Sequence, residues 1–251
     1  MALDTPLAAD TPIASLPETL VVGVLALQGA FAEHIHYLES VRVKGHTVKA
    51  IAVRTPEELA TCHALVIPGG ESTAITRVAA RTAGLLPLLQ AFVADPERPV
   101  YGTCAGMILM ADADGVGGGK RKGDGAAWGG MQGLRVWRNL YGGQLESFEQ
   151  EISIPALANP ERPFNAIFIR APAVHSLVAS PNYTTEVIAS LPAERVPAPP
   201  PADSALGAPD VEATPYVMLR QGRKLVTSFH PELSGDARVH QYWIESCVLG
   251  R

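Results

Sequence analysis

Leu20-Val21-Val22-Gly23-Val24-Leu25-Ala26-Leu27 is an unbroken apolar run. A strand with one wet face alternates apolar and polar residues. A strand buried on both faces does not, and such strands belong to parallel sheets covered by helices. Gln28-Gly29 ends the run, and Ala30 to Glu39 reads as a helix. The pattern continues downstream. Thr47 to Val53 and Ala64-Leu65-Val66-Ile67 are further β-like runs, the second stopped by Pro68-Gly69-Gly70. Helix-like stretches cover Ser72–Ala80 and Leu85–Val93. A fourth strand, Pro99-Val100-Tyr101-Gly102, runs straight into Thr103-Cys104-Ala105-Gly106 and another helix. Strands alternating with helices predict an α/β fold, a single domain with a mostly parallel central sheet flanked by helices. Ligands of such sheets sit outside the carboxyl ends of the strands. Cys104 and the Pro68-Gly69-Gly70-Glu71-Ser72 loop both lie at such ends.

The remaining chain fits one large domain. At 251 residues it can bury a substantial core. Residues 1–19 mix Ala, Pro, Thr and Asp without a period and read as a flexible arm, leaving 20–251 as the folded domain. Two segments read as inserted flexible surface loops: 112–129, rich in Gly with Lys120, Arg121 and Lys122, and 192–215, rich in Pro and Ala. The basic triplet suits an anion, although a solvated loop is the simpler reading. Between and after them, β-like runs fall at Phe164–Ile169, Thr184–Ile188, Tyr216–Leu219 and Lys224–Phe229. Ala237 to Leu249 reads as a closing helix. The formal net charge is -5 and no basic stripe appears, so nothing supports nucleic-acid binding. Cys62, Cys104 and Cys247 are scattered and odd in number, which argues against a disulfide framework and for a reducing compartment. The first twenty residues lack Lys and Arg, unlike a secretory or mitochondrial leader, and no apolar run spans a membrane. The expectation is a soluble, cytoplasmic protein.

Gly102-Thr103-Cys104-Ala105-Gly106 fits G-x-C-x-G between a strand and a helix, the cysteine version of a nucleophile elbow. Small neighbours leave room at the sharp turn. The helix N-terminus brings partial positive charge near the sulfur, and its N–H groups can hold an oxyanion. Most free cysteines are simply small buried hydrophobes, and Cys62 and Cys247, which lack this setting, are read that way. A thiol nucleophile needs a base, and the base benefits from a carboxylate. His230-Pro231-Glu232 supplies both after a strand. Pro231 pushes His230 toward extended backbone, where residues i and i+2 point the same way. Pro68-Gly69-Gly70-Glu71-Ser72-Thr73 lets backbone approach a ligand and lacks the lysine of a phosphate loop. Glu33, His34 and His36 do not have metal-binding helical spacing and read as a solvated or partly packed helix face; no Cys/His cluster has zinc spacing. His175 either lines the cleft or packs.

Together these residues resemble the class I, triad-type glutamine amidotransferases. Leu25-Ala26-Leu27-Gln28-Gly29-Ala30-Phe31-Ala32-Glu33-His34-Ile35 is similar to the opening motif of the glutaminase subunits of pyridoxal 5′-phosphate synthases. The Gly69-Gly70-Glu71-Ser72-Thr73 loop, the Cys104 elbow, Arg138-Asn139, Gln144 to Glu149, Phe168-Ile169-Arg170-Ala171-Pro172 and Ser228-Phe229-His230-Pro231-Glu232-Leu233 resemble that family's signatures, in order. The resemblance spans about residues 20–249 and implies a three-layer, flavodoxin-like domain. It implies Cys104 as nucleophile, His230 as acid/base and Glu232 as its partner. It implies Gly70, Glu71, Ser72, Arg138, Ile169 and Arg170 as glutamine-binding residues, Gly70 and Ala105 as oxyanion donors, and Gln28 near the oxyanion site and the partner interface. Without the resemblance, Arg138 and Arg170 read as ordinary salt-bridge formers. No cofactor or metal is implied. The implied partner is the synthase subunit of pyridoxal 5′-phosphate synthase, a (β/α)₈ barrel that receives ammonia. Competing readings are a glutaminase serving another pathway, such as histidine biosynthesis, a non-catalytic scaffold and a thiol peptidase. The family segments, the complete Cys104/His230/Glu232 set and the arginines argue against these in turn. The arm, added residues around Val41–His46 and the two loops depart from compact family members without interrupting a motif.

Overall fold

A computed structural model describes residues 16–118, 127–141, 147–200, 202 and 206–251. The chain runs β1 (Thr19–Leu25), α1 (Phe31–Ser40), β2 (Thr47–Val53), α2 (Pro56–Ala60), β3 (Ala64–Ile67), α3 (Ser72–Arg81), α4 (Leu85–Ala94), β4 (Val100–Thr103) and α5 (Ala105–Met110). There follow β5 (Val116–Gly117), β6 (Leu134–Trp137), β7 (Ser147–Ile152), β8 (Phe164–Ile169), β9 (Ala173–Leu177) and β10 (Glu186–Ser190). The chain closes with β11 (Tyr216–Gln221), β12 (Lys224–Thr227) and α6 (Arg238–Trp243), which continues as a π-helical turn over Ile244–Val248. The closing helix is therefore α-helical only in its first half.

The main sheet has the order β10-β11-β12-β4-β3-β1-β2. The pairs β2·β1, β1·β3, β3·β4 and β4·β12 are parallel, and β12·β11 and β11·β10 antiparallel. The unbroken apolar runs are explained by burial on both faces. In β1, Leu20, Val22 and Val24 join one core and Leu25 the other; in β3, Ala64 and Val66 face the first, Leu65 and Ile67 the second. Leu38 of α1 and Val239 and Trp243 of α6 close the first core. Leu59 of α2, Ile75 of α3, Leu89 of α4 and Leu109 of α5 close the second. This makes three layers. Gly23 is the one residue of the β1 run without a side chain, and a Cβ there would lie 2.7 Å from Cys62 Sγ and from Val53 Cγ2.

Two small sheets lie beside the main one: β5-β6-β9, and the β7–β8 hairpin. They carry Trp137-Arg138 and Ile169-Arg170 at strand ends. The two Gly/Pro-rich segments are not wholly surface loops. Val116–Gly117 pairs with β6, Ala127 and Trp128 are buried, and Leu206 is 2 % exposed. Composition hid these packed residues because single apolar side chains among Gly and Pro carry no period. Lys120, Arg121 and Lys122, and residues 1–15 of the expected arm, lie outside the described residues. Among the described residues no helix is long and apolar enough to cross a membrane.

Candidate active site

Cys104 sits between β4 and α5 with φ 49° and ψ −100°, a conformation that L-residues adopt only under constraint. The constraint is visible. Cys104 N–H donates to Thr227 O of β12 at 2.8 Å. A Cβ on Gly102 would lie 2.6 Å from the Gly106 carbonyl carbon, and one on Gly106 would collide with Ile67 O. Both flanking glycines are therefore required by the crossing of α5 over β3 and β4. The helix is only six residues long.

His230 follows β12, and its N–H donates to Ile167 O at 2.8 Å. Its Nδ1 is 2.7 Å from Glu232 Oε1. The expected extended backbone is not what pairs them. Pro231–Leu233 is a 3₁₀ turn, and the pair forms across its start. The imidazole lies against Gly69, where a Cβ would strike the ring. Burial pulls the His230 pKa down, but the Cys104 side chain and the Glu232 carboxylate outweigh it and lift the imidazole to about 10.

Gly70, next along, lines the site itself. A Cβ on Gly70, φ 155°, would strike Gln28 Oε1, and one on Gly29 would strike Gly69 O. Gln28 Oε1 accepts from Glu71 N–H at 2.7 Å, joining the end of β1 to the loop after β3. A cavity of about 670 Å³ opens here. It brings together Gln28, Gly70, Glu71, Ser72, Arg138, Ile169 and Arg170 with Cys104 and His230. Ala105, the next residue after Cys104, is buried. Cys104 Sγ is 3.9 Å from Ile169 O. Of four non-glycine residues with positive φ among the described residues, Cys104, Asn139 and Arg170 line this cavity. Strain gathered at one cleft is a mark of a functional site. Ile108 and Gly118 also line it, and no sequence signal singled them out.

The Glu33/His34/His36 face is partly packed, one of its two expected forms: Glu33 and His36 are exposed, and His34 is fully buried. Its Nε2 lies 3.4 Å from Glu232 Oε2 and 3.2 Å from Thr103 Oγ1, and its Nδ1 lies 2.9 Å from His240 Nε2. Leu38, one turn on, is buried too, so a four-residue stripe was the available signal. His175 packs: it is buried, stacked on Trp137 at 6.1 Å between ring centroids. Cys62 and Cys247 are buried, and burial pushes their thiols up to about 11 and about 12. Among the described residues no His/Cys/Asp/Glu group could hold a metal ion.

Residues 24–249 match the SNO glutamine amidotransferase family. The pyridoxal 5′-phosphate synthase subunit PdxT of Pelotomaculum thermopropionicum is 40% identical over 227 residues, covering 90% of this chain and 95% of that protein. PdxT of Leifsonia xyli subsp. xyli is 41% identical over 225 residues, covering 89% and 93%. A solved glutamine amidotransferase superposes with TM-score 0.67 at 33% identity, covering 92% of this chain and 99% of that one. With a strained cysteine facing a histidine–glutamate pair across a cleft, and with this likeness along nearly its whole length, the chain belongs to the SNO glutamine amidotransferase family.

Proposed function

We propose that the chain hydrolyses L-glutamine to glutamate and ammonia at Cys104 and delivers the ammonia to the synthase subunit of a pyridoxal 5′-phosphate synthase. The observation that carries the chemistry is the constrained Cys104 turn facing the His230–Glu232 pair in one cleft. The PdxT relatives support the choice of partner.

Cys104 sulfur attacks the side-chain amide carbon, and the oxyanion is held by backbone N–H groups of Gly70 and Ala105. Gln28, bonded to the same loop, keeps Gly70 in place. His230, held cationic by its two neighbours, gives its proton to the departing nitrogen, and ammonia leaves. The imidazole then takes a proton from water, which attacks the glutamyl thioester and releases glutamate. Arg138 and Arg170 face the substrate carboxylate, for which a guanidinium is a fitted donor. Gly70, Glu71, Ser72 and Ile169 complete the glutamine pocket. Ammonia is a nucleophile only while unprotonated, so an enclosed passage into the docked synthase favours delivery over loss to water. The test is glutamate release with the synthase present. Cys104→Ala is expected to abolish it, and retained hydrolysis would remove Cys104 from the mechanism.

A further inference from the structure

The Glu232 carboxylate has two oxygens, and His230 engages only one. Oε1 takes the His230 Nδ1 contact at 2.7 Å. Oε2 is buried without a hydrogen bond among the described residues, and it faces His34 Nε2 at 3.4 Å. Behind His34, His240 Nε2 stands 2.9 Å from His34 Nδ1. We propose that His240 and His34 form a directed relay, His240 Nε2–H to His34 Nδ1 and His34 Nε2–H to Glu232 Oε2, and that both are positioning residues that hold this carboxylate against His230. The relay rests on the triad reading given above.

Two independent facts fix its direction. If His34 carried its proton on Nδ1, its Nε2 lone pair would point at an anionic oxygen in a site with no solvent exposure. The same reversal would put the His240 proton on Nδ1, a buried atom with no hydrogen-bond partner among the described residues. A buried orphan donor is rarer and costlier than a buried orphan lone pair. The proposed direction avoids both penalties. Burial, then the His240 and His230 rings, keeps His34 well below its ordinary pKa, and burial holds His240 at about 3, so each is neutral with one proton to place. The 3.4 Å gap is long for a hydrogen bond, but contacts of catalytic groups tighten when substrate docks. Thr103 Oγ1, at 3.2 Å, shares the same donor. The relay also joins three elements. His34 belongs to α1, His240 to α6, and Glu232 to the short turn after β12.

The direct measurement is ¹⁵N-resolved histidine tautomer spectroscopy on the full wild-type chain. Both His34 and His240 are expected as neutral Nε2–H forms near neutral pH; an Nδ1–H form of His34 overturns the proposal. The kinetic measurement uses the chain with its synthase. H34L is expected to lower kcat roughly tenfold, the worth of one hydrogen bond to a charged group, with the glutamine KM unchanged. It should also lose the downfield His230 Nδ1 proton signal. H34Q, which keeps an N–H near the Nε2 position, should restore most of both. Full kcat and an intact signal in H34L overturn the relay. Should H34L fail to fold, the wild-type tautomers still decide. A wild-type chain inactive toward glutamine would strike the triad reading and leave the tautomer result standing on its own.

Discussion

At the scale of single residues, the site is built from places where no side chain fits and places where one must. Gly106 is pressed on Ile67 O, so Gly106→Ala forces α5 off β3. The expected loss is about 1–3 kcal/mol, typical of overpacking, read as a fall in Tm. Activity should fall further than stability, because Cys104 moves with the helix. Glu232 tests the opposite requirement. Glu232→Gln keeps the shape but can present an amide N–H to His230 Nδ1, favouring the wrong tautomer. The expected loss in kcat is on the order of 10²–10⁴-fold, with glutamine binding by calorimetry little changed; a near wild-type kcat would refute the orienting role. The proposed nucleophile, base and carboxylate partner were legible as candidates because each sits in a short motif with its own steric logic: glycines flanking Cys104, and proline between His230 and Glu232. His34 was not. Its meaning depends on His240, 206 residues away in sequence, and no local pattern encodes that meeting.

At the scale of elements, what is legible follows from what each element buries. The runs at β1, β3 and β4 are apolar on both faces, and a two-faced strand shows itself without reference to a neighbour. β6, β7 and β9 were not distinguished. Ser147–Ile152 has only one inward face and exposes Ser147, Glu149 and Glu151, so its strand character comes from the hairpin with β8 rather than from hydrophobicity. α2 did carry a local signal, the Thr55/Glu58 capping box with Pro56 at the helix start, yet five residues are too few for a period. The loop that joins β7 to β8 is held by Arg238 of α6. Its guanidinium pairs with Asp236 at 2.8 Å and donates to the carbonyls of Ala158, Asn159, Arg162 and Pro163 at 2.9–3.1 Å. That clamp fixes the entry to β8, and β8 delivers Ile169 and Arg170 to the cleft. Arg238→Ala leaves Asp236 and four carbonyls without this donor and is expected to cost about 3–5 kcal/mol, as breaking a buried pair does. Urea unfolding measures the cost. Faster amide exchange in β7 and β8 than in β1 and β3 would localise it, and uniform exchange would remove the clamp.

At the scale of the whole molecule, buried titratable groups make stability lopsided in pH. His34 and His240 are folded as neutral rings, with pKa values held well below the ordinary 6.5, His240 at about 3. Between those values the unfolded chain binds protons that the folded chain refuses, so stability falls as pH drops below about 6.5. Each ring contributes a slope of about 1.4 kcal/mol per pH unit there. Asp236 adds a later loss. Burial pushes its carboxyl up, Arg238 more than reverses this, and the resulting stabilisation disappears only as pH falls below 3.8 toward the folded pKa. Just above neutral two groups oppose each other. His230, raised to about 10, holds a proton that the unfolded chain gives up, so its contribution is complete below 6.5 and is lost as pH climbs through 10. Lys224 is buried, donates to Asp95 O and Arg98 O, and is pulled by burial to about 7. Unfolding between 7 and 10.5 therefore takes up a proton at Lys224, and stability rises with pH. The two slopes offset between about 7 and 10. The expected profile is flat between about 7 and 9 and steep on the acid side; above 9 the buried Cys62 and Cys247 thiols, pushed up to about 11 and about 12, keep protons that the unfolded chain gives up, and stability falls again. His240→Phe, which keeps a ring against Tyr37, removes one of the two acid-side groups. Urea unfolding across pH 4.5–6 should then show about half the wild-type slope, and an unchanged slope would mean that His240 is not folded as a neutral ring.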